Sequence, residues 1–371
     1  MTTTPYPIRP EVAAFEPYSP GLSIDEIRDR FGLDTVVKMA SNENPLGLSP
    51  IVRKALCDNA AYAFRYVQAG NPRLASAIAR HHGVPEARVV PGNGSDEIID
   101  LLVRVCPSPG VHNVVSSKPS FNMYRILSRL CGVDFRAVPL RADFSFDWQG
   151  LLDAVDEKTA LVFITTPDNP SGWCPPVADV EAFARALPDT CLLVVDEAYM
   201  DFSRDEATFS LLPRLDEFKN LVILRTFSKS YGLAGIRLGY GIMPVPLADA
   251  LRSAHMPFSV NILAEAAGIA ALEDTVFYEA TLEAVRAGRD FLASGLSALG
   301  CRVYPSQANF LMFQLPEHCG RDARQVFDAL LSHGMIIRPL NSYDLPQHLR
   351  VSVGTSEENN IFITLVKEVL A

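Results

Sequence analysis

The stretch Leu221-Val-Ile-Leu-Arg-Thr-Phe-Ser-Lys-Ser-Tyr-Gly-Leu-Ala-Gly-Ile-Arg-Leu-Gly-Tyr240 joins an apolar run to a lysine between two serines and then to a glycine-rich turn. Its first four residues show no polar alternation, which is typical of a parallel strand buried on both faces. Lys229 follows this strand, and Arg237 supplies a second cation. Lysine attacks carbonyl carbons only when deprotonated, so burial and neighbouring cations must lower its pKa. The stretch predicts a reactive amine at a strand end, although a lone Ser-Lys-Ser is more often a solvated loop.

Around this stretch, short apolar strands alternate with helices. Helices are predicted over 74–81 and 95–105, where apolar residues recur at helical spacing. Strands are predicted at 113–116, 135–139, 161–165, 192–195 and 221–224. The alternation predicts a doubly wound α/β domain, in which a mostly parallel sheet is flanked by helices.

After residue 241 the pattern changes. Helices are predicted over 247–255, 261–272 and 276–299, and they are followed by strand-like segments at 301–304, 310–314, 335–338 and 349–353 and by a helix from 357. This order predicts a smaller α+β domain. We predict an N-terminal arm with part of the small domain over 1–44, a large domain over 45–245 and the small C-terminal domain over 246–371.

Composition excludes several classes of function. A net charge of −10 over 371 residues argues against nucleic acid or an anionic membrane surface as the main partner. No apolar run reaches the length of a signal peptide core or a membrane span. The seven cysteines form no Cys-x-x-Cys pair, which predicts reduced thiols and a cytoplasmic location. The seven histidines show no metal-ligand spacing, so we predict no metal site.

A helix start predicts an anion site. Ligands of open α/β sheets bind beyond the carboxyl ends of the strands. The run Gly92-Asn-Gly-Ser-Asp-Glu97 opens the helix predicted from residue 95, and the backbone amides of Gly94, Ser95 and Asp96 would point at an anion there. An ordinary helix cap explains the same residues, so this run alone leaves both interpretations open.

Two strand ends carry polar residues that a core does not need. Asn169 lies in Thr165-Thr-Pro-Asp-Asn-Pro-Ser-Gly172, where the following proline favours an extended conformation. Asp196 ends the strand predicted over 192–195, and a buried carboxylate is costly unless a cation pairs with it. A protonated pyridine nitrogen would be such a cation, and Tyr199 lies three residues further on. Strand-end aspartates also occur in phosphate and magnesium sites, so Asp196 alone does not decide between them.

The order of these elements resembles the aspartate aminotransferase fold, which is fold type I of the pyridoxal-phosphate enzymes. That order is a phosphate loop, an asparagine, Asp-x-x-Tyr, Ser-Lys and a later arginine. Within this group the chain is most similar to the histidinol-phosphate aminotransferase family, and the likeness covers nearly the whole sequence. It rests on Pro17-Tyr-Ser-Pro-Gly21, Ala40-Ser-Asn-Glu-Asn-Pro-Leu-Gly47, Pro119-Ser-Phe-Asn-Met-Tyr124, Ile337-Arg-Pro-Leu340 and Leu349-Arg-Val-Ser-Val-Gly-Thr355.

The resemblance implies a cofactor and roles for its contacts. Pyridoxal 5'-phosphate would be covalently bound to Lys229, which would also move the proton at the substrate Cα. Asp196 would pair with the ring nitrogen, while Tyr199 and Asn169 would contact the ring oxygen. Phe121 would stack on the ring, where the family usually has tyrosine. The phosphate would be held by Gly94, Ser95, Asp96, Ser228 and Arg237.

The resemblance also implies partners and substrates. Tyr66 would reach the cofactor phosphate of a neighbouring subunit, which implies a homodimer with shared active sites. Arg350 would bind the α-carboxylate of glutamate or 2-oxoglutarate, or the phosphate of the other substrate. That phosphate would also be favoured by Arg338 and by Tyr18 of the partner's arm, with Asn44 as a further substrate contact. The implied reaction converts L-histidinol phosphate and 2-oxoglutarate into imidazole acetol phosphate and L-glutamate, in histidine biosynthesis.

Two departures from the family pattern bear on the substrate. The usual Arg-Tyr-Pro-Asp is Arg65-Tyr-Val-Gln68 here, and the usual Asn-Asn-Pro is Asp168-Asn-Pro170. The first departure bears on which substrate the protein uses, whereas the second departure retains Asn169.

Several alternatives stay open at this point. An aromatic-amino-acid aminotransferase would use the same scaffold, and a pyridoxal-phosphate decarboxylase of a phosphorylated amino acid would align a different Cα bond. A ligand-sensing regulator with this fold is expected to carry a DNA-binding segment, for which the short N-terminus has no room. A nucleotide-binding α/β protein is expected to carry Gly-x-x-x-x-Gly-Lys-Ser/Thr, which the sequence lacks.

Overall fold

The structure is a computed structural model that describes residues 6–13 and 22–371. Its strands are β1 Val37–Lys38, β2 Val89–Gly92, β3 Asn113–Lys118, β4 Asp134–Pro139, β5 Thr159–Thr165, β6 Leu192–Asp196, β7 Leu221–Thr226, β8 Gly239–Ile242, β9 Arg302–Val303, β10 Phe310–Gln314, β11 Met335–Ile336, β12 Arg338–Pro339 and β13 His348–Ser352. Its helices are α1 Pro10–Ala13, α2 Ile24–Phe31, α3 Pro50–Asn59, α4 Pro72–His82, α5 Ser95–Val105, α6 Met123–Leu130, α7 Trp148–Asp153, α8 Val177–Ala186, α9 Glu206–Phe209, α10 Val245–Ala254, α11 Ile262–Glu273, α12 Thr275–Ala298, α13 Ala323–Ser332 and α14 Ser356–Leu370. Short 3₁₀ turns join several of them.

The larger sheet has seven strands in the order β2-β8-β7-β6-β5-β3-β4. The five strands from β3 to β7 pair in parallel, whereas β8 runs antiparallel to both β7 and β2. Every residue of β7 is buried, which agrees with its unbroken apolar run. The mostly parallel sheet confirms the predicted α/β fold class.

Parallel pairing brings three strand ends together. Thr165 of β5 is the register partner of Asp196 of β6, and Asp196 is in turn paired with Leu224 of β7. Since β5, β6 and β7 are adjacent, the residues that follow them emerge at one edge of the sheet. The segments that carry Asn169, Asp196 and Lys229 therefore begin side by side.

The strands β2 and β8 were not predicted from the sequence. The short β8 contains two glycines, which weaken any strand pattern. The structure explains one of them, because a Cβ on Gly239 would lie 2.4 Å from the backbone nitrogen of Ser95. The absence of a side chain at Gly239 thus allows the start of α5 to lie against strand β8.

A second set of strands builds the smaller part of the molecule. The strands β12-β13-β10-β9 form an antiparallel sheet, and β1 pairs in parallel with β11. Its core contains the fully buried rings of Phe310, Phe313 and Phe362. The N-terminal residues that form β1 therefore join strands from the end of the chain.

Two helices after residue 245 pack on the larger sheet. Helix α10 contacts α5, and α11 contacts α3 and α4. Ala264 and Ala267 of α11 are fully buried in the core beneath that sheet. From this packing we propose that the division between the two parts lies near Asp274, instead of after residue 245 as predicted, because helices that follow the last strand still cover its sheet.

The loop after β5 buries an acid. Asp168 is fully buried, and its Oδ2 accepts hydrogen bonds from the Ser171 backbone N–H (3.1 Å) and hydroxyl (2.6 Å). Its Oδ1 has no hydrogen-bond partner among the described residues. Burial raises the pKa of this carboxyl from 3.8 to about 7, against the opposing effect of the Ser171 hydrogen bonds. The folded protein therefore binds this proton more tightly than the unfolded chain does.

Replacing Asp168 by asparagine should change how stability depends on pH. In the wild-type protein the raised folded pKa makes the free energy of unfolding fall as pH rises from about 4 through about 7. Asp168→Asn removes this titration and should stabilise the protein at pH 8 by on the order of 3 kcal/mol, with little change near pH 4. Denaturant unfolding followed across this pH range measures the effect. The exposed Asp189→Asn serves as the control, and equal pH slopes in all three proteins would contradict the account.

Candidate active site

A cavity of about 270 Å³ lies at the carboxyl ends of β5, β6 and β7. It is lined by Ser41, Glu43, Ser95, Asp96, Phe121, Thr165, Asn169, Asp196, Ala198, Tyr199, Thr226, Ser228, Lys229, Ala234 and Arg237. Most of the residues that the sequence predicted as cofactor contacts are in this set. Residues from six separate segments of the chain therefore meet in one place.

The Lys229 amine faces this cavity from the turn after β7. Its Nζ donates a hydrogen bond to the backbone oxygen of Ser41 (3.2 Å) and lies 5.7 Å from the centre of the Tyr199 ring. Burial lowers the pKa of Lys229 from 10.5 to about 8, and the positive charge of Arg350 adds to the effect. The amine is thus deprotonated far more readily than a solvated lysine, as a carbonyl nucleophile requires.

The Asp196 carboxylate lies at the end of β6. Its Oδ2 accepts a hydrogen bond from the Tyr124 hydroxyl (2.7 Å), and its Oδ1 accepts one from the Ala198 N–H (3.1 Å). Burial raises the pKa of Asp196 to about 6, while the Tyr124 hydrogen bond opposes that rise. Within 6–13 and 22–371, no lysine, arginine or histidine forms an ion pair with it. The site therefore holds a buried acid that would gain from a cationic partner.

Tyr124 is a site residue that the sequence analysis missed. It is fully buried, its ring stacks on Phe163 with centroids 4.5 Å apart, and its hydroxyl also lies 2.7 Å from Thr165 Oγ1. These contacts fix the hydroxyl toward Asp196. Its position three residues after Phe121, on the first turn of α6, was the available signal.

The start of α5 forms one side of the cavity. The first backbone amides of a helix have no intrahelical acceptor, so those of Ser95 and Asp96 are available to a ligand. Gly94 has φ +79°, and a Cβ there would lie 2.7 Å from Nη2 of Arg237. The Arg237 guanidinium, which also lies 3.2 Å from Asp96 Oδ2, therefore approaches the loop because position 94 is glycine.

The opposite side of the cavity joins the two parts of the molecule. Arg350 of β13 donates through Nη1 to Asn169 Oδ1 and through Nη2 to the backbone oxygen of Ala40 (3.0 Å). Its Nε is buried and has no hydrogen-bond partner among the described residues. The Tyr199 hydroxyl accepts a hydrogen bond from Asn42 Nδ2 (3.0 Å), another contact that the sequence analysis missed.

Five of the predicted site residues that the structure describes are absent from this lining, namely Gly94 and Arg350, which contact lining residues, and Tyr66, Arg338 and Asn44. Tyr66 is 83% exposed and stacks on Phe258, with centroids 4.7 Å apart. Arg338 lies on β12 as the register partner of Arg350. Asn44 donates to the backbone oxygen of Ser230 (2.8 Å), beside Lys229. Tyr18 lies outside the described residues.

A buried ion cluster braces the segment that carries Lys229. Arg225 of β7 donates to Glu197 Oε2 (2.8 Å), Asp201 Oδ1 (3.0 Å) and Glu206 Oε1 (2.6 Å). The Ser230 hydroxyl donates to the other oxygen of Asp201. The residue after Lys229 is thus tied to the loop that follows Asp196.

The described residues provide neither a metal-binding cluster nor a helix that could cross a membrane. Residues 6–13 and 22–371 contain no cluster of histidine, cysteine, aspartate or glutamate that would hold a metal ion. Within the same ranges, every helix is too short or too polar to cross a membrane.

Comparison with known proteins identifies the family. The model for aminotransferase class I and II matches residues 34–365. The histidinol-phosphate aminotransferase of Oleidesulfovibrio alaskensis is 62% identical over 363 residues, which are 98% of this chain and 95% of that protein. The enzyme of the same name from Nitratidesulfovibrio vulgaris is 62% identical over 366 residues, covering 99% and 97% of the two chains.

Solved structures agree with the sequence comparison. The crystal structure of histidinol-phosphate aminotransferase from Sinorhizobium meliloti in complex with pyridoxal-5'-phosphate superposes with a TM-score of 0.88 at 30% identity, covering 98% of this chain and 97% of that one. Aspartate aminotransferase from Thermus thermophilus with maleate superposes with a TM-score of 0.83 at 22% identity, covering 98% of this chain and all of that one, which shows the shared fold alone.

The family model spans most of the chain, and relatives at 62% identity cover nearly all of it. The larger sheet and its flanking helices are those of fold type I. The chain therefore belongs to the class I and II aminotransferases and, within them, to the histidinol-phosphate aminotransferase family.

Proposed function

We propose that the chain transfers an amino group between L-histidinol phosphate and 2-oxoglutarate, with pyridoxal phosphate held in the cavity at the ends of β5, β6 and β7. One observation carries the proposal. The Lys229 amine, the Asp196 carboxylate and the amides that open α5 line the same cavity. The 62% identity to proteins of that name supports the choice of substrates.

The donor set of the cavity fits pyridoxal phosphate. The ring nitrogen needs an anion, and Asp196 is a buried carboxylate that forms no ion pair within the described chain. The phosphate needs donors, which the start of α5, Ser228 and Arg237 supply. The aldehyde needs an amine, which is Lys229. The apolar face of Phe121 is available to a flat ring.

When bound, pyridoxal phosphate supplies a carbonyl that accepts amino groups and a ring that withdraws electrons from the substrate Cα. Lys229 would hold the cofactor covalently and then act as the base that takes the Cα proton. Its pKa of about 8 leaves part of the amine unprotonated near neutral pH, so the same side chain can bind and return that proton.

Asp196 would keep the ring nitrogen of the cofactor protonated. Hydrogen bonds from neighbouring groups orient the carboxylate for this role. The Tyr124 hydroxyl and the Ala198 N–H fix both carboxylate oxygens. The Tyr199 hydroxyl and the Asn169 amide would contact the ring oxygen. Asn42 and Arg350 hold these two groups in place through hydrogen bonds.

Two arginines would recognise the acidic groups of the substrates. Arg338 and Arg350 are directly opposite on neighbouring antiparallel strands, so their side chains leave the same face of the sheet. Arg350 would bind the carboxylate of 2-oxoglutarate, for which its buried Nε is an unused donor. Two adjacent guanidinium groups also suit a phosphate dianion better than an apolar aromatic side chain. This pairing favours histidinol phosphate over phenylalanine or tyrosine.

We further propose a homodimer in which Tyr66 reaches the cofactor phosphate of the other subunit. An exposed aromatic patch supports an interface there, because Tyr62, Phe64 and Tyr66 are 54%, 76% and 83% exposed. We also infer a cytoplasmic location, which is supported by seven cysteines that are all free thiols.

Removing the Lys229 amine should abolish turnover. Lys229→Ala should lower kcat by about three orders of magnitude or more, because neither covalent attachment nor the Cα proton transfer can proceed. The exposed Lys219→Ala is the matched control and should keep wild-type turnover. Glutamate formation from histidinol phosphate and 2-oxoglutarate measures the turnover of both variants, and circular dichroism establishes that both are folded. Substantial transamination by a folded Lys229→Ala protein would refute the assigned role.

The substrate assignment can be tested by half-reactions. We expect histidinol phosphate to convert the bound cofactor faster than phenylalanine, tyrosine or threonine phosphate, as followed by absorbance. Arg338→Ala should lower kcat/KM for histidinol phosphate about 30-fold and leave phenylalanine nearly unchanged, because only the former loses a charged hydrogen bond. Arg302→Ala, an exposed arginine on β9, is the control. If phenylalanine outpaces histidinol phosphate in the wild type, the named substrate is wrong.

Shared active sites predict complementation between two defective proteins. Lys229→Ala and Tyr66→Ala homodimers should each be impaired, whereas a mixed dimer contains one site with both residues intact. When the two proteins are mildly dissociated and mixed, each mixed dimer should regain about half the activity of a wild-type dimer, because one of its two sites is intact. Activity that stays at the sum of the two separate proteins, with mixed dimers verified by affinity tags, would contradict this arrangement.

A further inference from the structure

A second cavity, of about 500 Å³, lies between the two parts of the molecule and shares no lining residue with the active site. Its walls come from the loop after β5 (Trp173 and Cys174), from the loop after β6 (Arg204), from helix α12 (Arg289) and from the segment after β9. No role in the proposed reaction accounts for it.

The cavity contains a buried cation with little compensation. Arg289 is 3% exposed, and its Nη1 donates to the backbone oxygens of Ala308 (2.8 Å) and Phe202 (3.3 Å). No ion pair joins Arg289 to an acid among the described residues, and its Nε and Nη2 form no hydrogen bond there. Burial lowers the pKa of Arg289 to about 10, so the group still carries its charge at neutral pH. A buried charge that lacks an ionic partner is costly and gains from an anion.

Two further polar groups line the same cavity. Arg204 contributes a second guanidinium, whose Nη2 lies 3.8 Å from Oδ1 of Asp290, and the two side chains are 71% and 67% exposed. The side-chain oxygen Oε1 of Gln307 accepts a hydrogen bond from the Arg204 backbone N–H (3.1 Å), which leaves the side-chain nitrogen of Gln307 as a donor. Two cations and one acid give the cavity a positive balance.

We propose that this cavity is a binding site for a small oxyanion, a carboxylate or a phosphate, held by Arg289, Arg204 and the Gln307 amide. Guanidinium groups bind such oxyanions through two parallel hydrogen bonds, and a ligand here would neutralise Arg289, a buried arginine whose hydrogen-bond acceptors among the described residues are backbone carbonyls alone. The site does not depend on the proposed reaction.

An anion in this cavity would also bear on the active site. The Gln307 backbone N–H donates to the backbone oxygen of Gly172 (2.9 Å), and a Cβ on Gly172 would lie 2.6 Å from Cβ of Ser306. Gly172 belongs to the loop that carries Asn169, whose amide lines the active-site cavity. A ligand held by Arg204 and Arg289 would thus hold the smaller part of the molecule against this loop. Binding to the folded state alone would stabilise the folded protein.

Phosphate titration of the cofactor-loaded enzyme tests the proposal. At constant ionic strength in chloride, inorganic phosphate should raise the unfolding temperature saturably and should show, by calorimetry, a binding step that persists in Arg338→Ala. Arg204→Ala should weaken this binding roughly fivefold, and Arg289→Gln should weaken it about tenfold or more. Acetate in place of phosphate distinguishes a carboxylate ligand from a phosphate ligand.

Matched variants separate this site from the active site. Arg338→Ala should keep the phosphate response, because Arg338 does not line this cavity. If Arg289→Gln fails to fold, the phosphate affinities of Arg204→Ala and Gln307→Leu test the proposal instead. The proposal is overturned if the wild type shows no saturable response, or if Arg204→Ala and Gln307→Leu bind phosphate as tightly as the wild type does.

Discussion

The buried ion cluster around Arg225 is the interaction on which the site depends. Its guanidinium bridges three acids from the segment after β6 and so ties the ends of β6 and β7 together. One of them, Asp201, also accepts the Ser230 hydroxyl, which fixes the residue next to Lys229. Arg225 and Glu197 are almost fully buried, so loss of the arginine would leave uncompensated negative charge beneath the site at a cost of about 3–5 kcal/mol. The cluster therefore fixes the segment that carries Lys229 to the loop that follows Asp196.

A second constraint is that the site is built from both parts of the molecule. Arg350 belongs to the small antiparallel sheet, yet it binds Asn169 from the loop after β5. Burial is the main cause of the lowered pKa of Lys229, and the positive charge of the same arginine lowers it further. A single side chain from the smaller part thus contributes to the electrostatics of the amine and also holds Asn169, which we propose as a cofactor contact.

The sequence predicted the elements whose patterns are local. The apolar runs of β5, β6 and β7 and the strand-end positions of Asn169, Asp196 and Lys229 are visible in the chain, and the parallel pairing follows from alternation with helices. Strand β8 was missed because its glycines serve contacts with α5. Tyr124 was missed because its role depends on a hydrogen bond across the sheet edge to Asp196, 72 residues away in sequence. The packing of α10 and α11 on the larger sheet likewise depends on non-local contacts, which no periodicity records.

The proposed function depends on a covalent bond between Lys229 and the cofactor in this cavity. Borohydride reduction of the cofactor-loaded enzyme, followed by proteolysis and mass spectrometry of the labelled peptide, tests for this bond. We expect a single pyridoxyl-phosphate label on Lys229, within the segment Arg225-Thr-Phe-Ser-Lys-Ser-Tyr-Gly232. A label on any of the other six lysines, or a protein that binds no cofactor, would contradict it.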